Sequence, residues 1–215
     1  MIDGIANHTG DPKVEAHCND CTASIDAHID AQIPVLQANP DMSLLSVSMK
    51  AGMPEQQIRA NIKLAISGGQ NEPRDAIAGA IAALLDHPDQ LQKVQAGEVT
   101  WLSVFEEYAR WMSPIGMSPR RIAKQYTLND VTFEPNTRAF LMFGSGNRDE
   151  QIFQNPDRFD VTRDTSKAIS FGAGPHFCAG AWASRCMIAE VALPMFFARF
   201  KDLALTEPVA YRGWA

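Results

Sequence analysis

The ten residues from Phe171 to Gly180, FGAGPHFCAG, place one cysteine in a glycine-rich loop at the mouth of a helix. A sulfur there meets N–H groups without intrahelical partners and the positive end of the helix dipole. Both stabilise negative charge, so Cys178 is a candidate thiolate. Gly172, Gly174 and Gly180 lack a Cβ and let the backbone bend tightly against a flat partner, while Pro175 stiffens the bend. Phosphate binding is another common use of such a loop. However, GAGPH has neither the Lys-Ser/Thr ending of a P-loop nor the glycine spacing of a dinucleotide fold. His176, Cys178 and Cys186 fit no common zinc spacing.

A second candidate site is SGGQNEPRD, residues 67–75. Pro54 and Glu55 open a long predicted helix around it, continued by the apolar periodicity of Ile58, Ile62, Ile66, Ala76, Ile77, Ala80, Leu84 and Leu85. Gly68 and Gly69 are poor helix formers, and Pro73 has no N–H for the carbonyl of Gly69, which predicts a kinked or widened turn. Asn71 and Glu72 fall in that turn, and a deformed turn in a long buried helix is a place for function. The alternative is that Glu72 and Arg74 bend outward as solvated charges. A third helix contains FEEYARWMSP, whose Glu107 and Arg110 share one face and can pair.

The elements that must position these groups follow from periodicity. After the loop, Trp182, Cys186, Ala189, Leu193 and Phe196 recur at steps of four and three and predict a helix with one apolar stripe. Asp11 and Pro12 start a first helix, and Val14, Cys18, Cys21, Ile25 and Ile29 form its stripe. Cys18 and Cys21 therefore read as buried core, since no second CxxC or spaced His pair accompanies them. Pro34 to Asp41 reads as a polar break, and HPDQLQKVQAG as a linker. Short strands are expected at Ile122 to Leu128, Val131 to Phe133 and Ala139 to Phe143, separated by Asn129-Asp130 and Pro135-Asn136 turns. Gly144-Ser145-Gly146 lacks the helix start and lysine of a nucleotide loop.

With 215 residues, 46% of them hydrophobic and 20% charged, the chain has an ordinary globular composition. A net charge of −6 without basic runs argues against a nucleic-acid partner. No apolar run reaches the length of a membrane span, and MIDGIANHTGD lacks the regions of a signal peptide, so a cytoplasmic location is expected.

The ligand loop resembles that of the cytochrome P-450 family, with Phe171, Gly174, His176, Cys178 and Gly180 filling every fixed position. The resemblance implies haem b held by Cys178 as axial iron ligand, with His176 partnering a propionate and Phe171, Gly172 and Gly69 contributing to the cofactor site. A thiolate ligand favours O–O bond cleavage on haem iron. Glu107 and Arg110 resemble the family's Glu-x-x-Arg motif, completed by Arg158 in Pro156-Asp157-Arg158-Phe159 as a structural triad. Arg121, or its neighbour Arg120, corresponds to a basic residue that reaches a propionate. SGGQNEPRD resembles the oxygen-activation turn, with Asn71 at the usual acid's position and Glu72 at the usual threonine's.

What the resemblance implies is a mainly α fold with a small β-sheet. The chain, 1–215, would be one partial domain without an internal boundary, its N-terminal half and last strands absent. A complete domain is about twice as long. The implied function is a monooxygenase that inserts oxygen from dioxygen into a small apolar organic substrate, using a separate ferredoxin or reductase. Peroxide-driven oxygenation through Glu72 and a non-catalytic haem-binding module are the alternatives. Self-association or a second polypeptide would supply the missing half.

Overall fold

The computed structural model describes residue 7 and residues 9–209. Most of the MIDGIANHTGD segment and the ending Arg212-Gly213-Trp214-Ala215 lie outside the described residues. The chain divides into two compact units, Met1–Asn71 and Glu72–Ala215, each with its own core.

In the first unit, α1 (Pro12–Ala38) starts where the Asp11 carboxylate accepts the Lys13 N–H, with Pro12 in the first turn. Two further helices, α2 (Leu44–Lys50) and α3 (Glu55–Gly68), pack Leu45 and Ile58 against Ile29 of α1, with Ile25, Ile33, Leu36, Met49 and Ile62 around them. Arg59 on α3 pairs with Asp26, Asp30 and Glu55, and Lys63 reaches Asp26 at 2.7 Å. α1 runs through Pro34, which corrects the expected break there. The missing N–H costs about 3 kcal/mol, and burial of the Ile29, Ile33 and Leu36 stripe on both sides of the proline offsets it. The first stripe faces inward as expected, yet Cys18 and Cys21 are only half-buried, since full burial begins at Ile29.

The predicted long helix is two helices, α3 and α4 (Asn71–Asp86), separated by Gly69 and Gln70. The break falls on the glycines and leaves Pro73 in the first turn of α4, where the N–H it lacks would have had no partner. A Cβ on Gly69 would stand 2.5 Å from the Ala65 carbonyl oxygen, so the chain leaves α3 by a path that glycine fits best.

In the second unit, α4 is followed by α5 (Pro88–Gln95), which replaces the expected linker. Pro88 opens α5, and Gln90 and Val94 turn inward. α6 (Trp101–Met112), capped by Thr100, then lays Val104, Phe105 and Tyr108 into the core. The strand expected at Val131–Phe133 forms there, whereas the other two are shorter or shifted and a further strand forms at Ser118–Arg121. β1 (Ser118–Arg121) pairs antiparallel with β4 (Arg138–Leu141), and β2 (Tyr126–Leu128) with β3 (Val131–Phe133). Residues 122–125 carry no strand, because the β1–β4 register places Arg121 opposite Arg138 and the chain turns there. The short α7 (Phe143–Gly146) leads into a long irregular stretch, a 3-10 turn at Gly174–His176, and α8 (Ala181–Arg199).

α8 widens to a π-helix over Cys186–Ala192. That extra residue moves the buried set to Ala181, Ile188, Ala189, Leu193 and Phe197, with a step of five between Ile188 and Leu193. The predicted stripe is corrected accordingly: Trp182 is 74% exposed, and Phe196 only borders the core. By length and composition alone α8 could cross a membrane, contrary to expectation, although Ile188, Leu193 and Phe197 sit in the core with Val104 and Phe105.

α4 and α6 approach so closely that a Cβ on Gly79 would lie 1.8 Å from the Tyr108 hydroxyl oxygen. Gly79→Ala is therefore expected to destabilise the chain by about 1–3 kcal/mol, measured by denaturant unfolding.

Candidate functional site

The site is built outward from a buried ion pair. Glu107 and Arg110 lie on one face of α6, and both are 0% exposed. The guanidinium binds the carboxylate through two nitrogens, Nε to Oε2 at 2.7 Å and Nη2 to Oε1 at 2.9 Å. Its remaining N–H groups donate to the carbonyls of Asn147 and Pro156 at 2.8 Å and of Arg158 at 3.3 Å. The long stretch between α7 and the ligand loop is thus held by a side chain rather than by a sheet or helix.

The third member of the triad is corrected here. Arg158 contributes its carbonyl oxygen, while its exposed side chain does not reach Glu107. The guanidinium that does so is Arg163, with Nε 3.2 Å from Glu107 Oε1 and other donors on the carbonyls of Gln154, Asn155 and Arg158. Asp160 N–H also donates to Glu107 Oε1, at 2.9 Å. The sequence held one signal for this, a second arginine five residues after Arg158. Only the turn between them decides which side chain points inward.

Asn147 was not singled out by sequence, yet it is 0% exposed. Its side chain accepts the Ile169 N–H at 2.8 Å and donates to the Ser113 and Ser170 hydroxyls at 2.8 and 3.0 Å. Gln90 likewise accepts the Val161 N–H at 3.0 Å. An isolated Asn or Gln in sequence carries no periodic signal for such roles.

Immediately after Ser170 comes the loop. Phe171 is half-buried, 6.1 Å from the Phe105 ring, with the Arg185 guanidinium 4.8 Å over its own ring; Arg185 in turn pairs with Glu106. Gly172 and Gly174 have φ of 70° and 67°, values that favour glycine. Phe171 O accepts the Cys178 N–H at 2.9 Å and closes the loop. Cys178 and His176 are both exposed. Cys178 Sγ would lie 3.8 Å from a Cβ at Gly180, so the missing side chain leaves one flank of the sulfur open. Cys186, by contrast, is partly buried, and desolvation together with the Glu190 carboxylate pushes its thiol pKa up, away from thiolate chemistry.

Phe171, Gly172, His176 and Cys178 therefore share one loop. Arg121 is exposed at the end of β1, and Arg120 beside it is engaged with the Ser118 hydroxyl. Glu72, at the start of the second unit, is half-buried, and its Oε2 is fully buried without a hydrogen-bond partner. Gly69 and Asn71 belong to the first unit. The donor set of the loop fits a haem: an exposed soft sulfur, with open space around a Cβ placed at Gly174 and the sulfur itself 3.8 Å from one at Gly180.

A family model described as Cytochrome P450 matches residues 102–206. The vitamin D(3) 25-hydroxylase of Pseudonocardia autotrophica is 34% identical over 166 residues, 76% of this chain and 41% of its own length. The biotin biosynthesis cytochrome P450 of Bacillus subtilis is 28% identical over 185 residues, 84% of this chain and 47% of its own length. The crystal structure of P450BioI in complex with hexadec-9Z-enoic acid-ligated acyl carrier protein matches with a TM-score of 0.85 at 28% identity, over 94% of this chain and 53% of that one. The chain thus spans about half the length of the relatives it matches.

Arg163→Ala is expected to cost about 2 kcal/mol, because it removes charge-assisted bonds from a buried carboxylate. Arg158→Ala keeps the carbonyl and is expected to change stability by less than about 0.5 kcal/mol. Denaturant unfolding of the two variants side by side checks both.

Proposed function

The chain belongs to the cytochrome P450 family, and from that premise we propose that it is the haem-ligand half of a haem-thiolate monooxygenase. It would act in the cytoplasm on a small apolar organic substrate, inserting one oxygen atom of dioxygen with electrons from a separate ferredoxin or reductase. The observation that carries this reading is Cys178, an exposed thiol in a glycine-flanked loop entered from a coil that Asn147 joins to the buried Glu107–Arg110 pair. Relatives named as a vitamin D(3) 25-hydroxylase and a 6-deoxyerythronolide B hydroxylase support oxygenation of an organic substrate.

In this reading haem b supplies the oxygen-activating chemistry, strengthened by electron donation from a thiolate ligand. Cys178 binds the iron, His176 and Arg121 neutralise the propionates, and Phe171 and Gly172 shape the loop beside the ring. Glu72 offers a buried, unpartnered carboxyl oxygen to a bound ligand, with Asn71 beside it in sequence, and Gly69 keeps the turn before it free of a side chain. A second polypeptide or a second copy would supply the remaining wall of the cavity.

A peroxide-driven variant of the same activity has a specific observation in its favour. Glu72 stands where the family's turn carries threonine, and its Oε2 is buried without a partner, as suits a group that exchanges a proton with a bound ligand.

Reduced, haem-loaded chain under carbon monoxide is expected to show the red-shifted Soret band of a thiolate ligand, and Cys178→Ser to abolish it. A histidine-type spectrum would sink the assignment. Turnover with peroxide and with a reductase separates the two oxidants: Glu72→Thr is expected to raise only the reductase-driven rate.

A further inference from the structure

We propose that Asn147 is a positioning residue for the ligand loop, its carboxamide acting with Ser170 to hold the coil from which the Cys178 N–H is suspended. This inference rests on the haem-thiolate reading for its functional meaning, although the hydrogen bonds that carry it do not. Asn147 is 0% exposed, and it bonds both the end of α6, through its carbonyl and through Ser113, and the coil that enters the loop. Its carbonyl accepts Arg110 Nη1 and belongs to the buried ion pair. Its side chain accepts the Ile169 N–H and donates to Ser170 Oγ, two consecutive residues of the coil that enters the loop.

Ser170 Oγ also donates to the Ala109 carbonyl at 2.8 Å, which anchors the same point to α6 one residue before Arg110. The next residue, Phe171, accepts the Cys178 N–H. A continuous path of hydrogen bonds and peptide units therefore runs from Arg110 through Asn147 and Ser170 to the cysteine. Without the carboxamide, the Ile169 N–H and the Ser113 and Ser170 hydroxyls each lose a partner, and the coil before Phe171 keeps only the Ser170–Ala109 bond to α6. The consequence is a thiol whose direction is less well defined, in a chain that can otherwise remain folded.

Amide hydrogen exchange on the haem-free full chain tests the path directly. Asn147→Ala and Ser170→Ala are expected to speed exchange of the Cys178 amide about tenfold or more, leaving the Val104 amide within about twofold of wild type. Ser170→Thr keeps the hydroxyl and is expected to restore slow exchange at Cys178. Val104→Ala, a core substitution outside the path, is expected to lower the unfolding midpoint without singling out Cys178. Unchanged exchange at Cys178, or equal acceleration throughout, overturns the proposal.

With haem and carbon monoxide, Asn147→Ala and Ser170→Ala are expected to move part of the reduced protein from the thiolate-type Soret band to a non-thiolate one. Ser170→Thr and Val104→Ala are expected to keep the thiolate band. An undiminished thiolate band in both Asn147→Ala and Ser170→Ala also overturns the proposal. A wild-type chain with no thiolate band overturns the haem-thiolate reading, and the exchange result then decides the positioning role by itself.

Discussion

The second unit depends on a guanidinium that has been taken wholly out of water. Removing a cation and a carboxylate from solvent costs several kcal/mol for each ion, and attraction between them offsets that cost only when the remaining donors and acceptors are matched. Arg110 meets the condition: each of its five N–H groups has an acceptor, two on Glu107 and one each on the carbonyls of Asn147, Pro156 and Arg158. Glu107 is matched in turn by Arg163 and by the Asp160 N–H. Because those carbonyls belong to a stretch with almost no regular structure, the ion pair does for that stretch what a ladder does for a strand.

The ligand loop inherits its order from the same source. Phe171 lies between Phe105 and the Arg185 guanidinium, so α6, the loop and α8 share one aromatic contact. Positive φ at Gly172 and Gly174 turns the chain so that the Phe171 carbonyl faces the Cys178 N–H. The outcome is a rigid base under an exposed thiol. A metal-ligating side chain benefits from that combination, since its direction is set before the cofactor arrives.

Much of this was legible in the residues themselves. FGAGPHFCAG carries its own turn chemistry, and the Glu107–Arg110 spacing dictates pairing on a helix whatever surrounds it. The first helix start at Asp11-Pro12 and the interruption beginning at Gly69 also follow from local rules, because caps, glycines and prolines act within a few residues. Reading failed where distant packing overrides a local rule. Pro34 stays inside α1 because Ile29, Ile33 and Leu36 on its two sides pack against one core, and HPDQLQKVQ becomes helical because Gln90 and Val94 have a core to enter. The stripe on α8 shifted because a π turn adds a residue that no 3.6-residue period can anticipate.

By itself, then, the sequence determined the family resemblance, the chemical identity of the ligand loop and the helical pairing of Glu107 with Arg110, all of which depend on neighbours within about one turn or on a motif's fixed spacing. Tertiary structure alone decided that Arg163 rather than Arg158 completes the pair and that Asn147 joins it to the loop. It alone decided that Glu72 buries an unpartnered oxygen. Such outcomes turn on which side chain a folded coil points inward, and a chain with no period in that region leaves no trace of the choice until the core has closed around it.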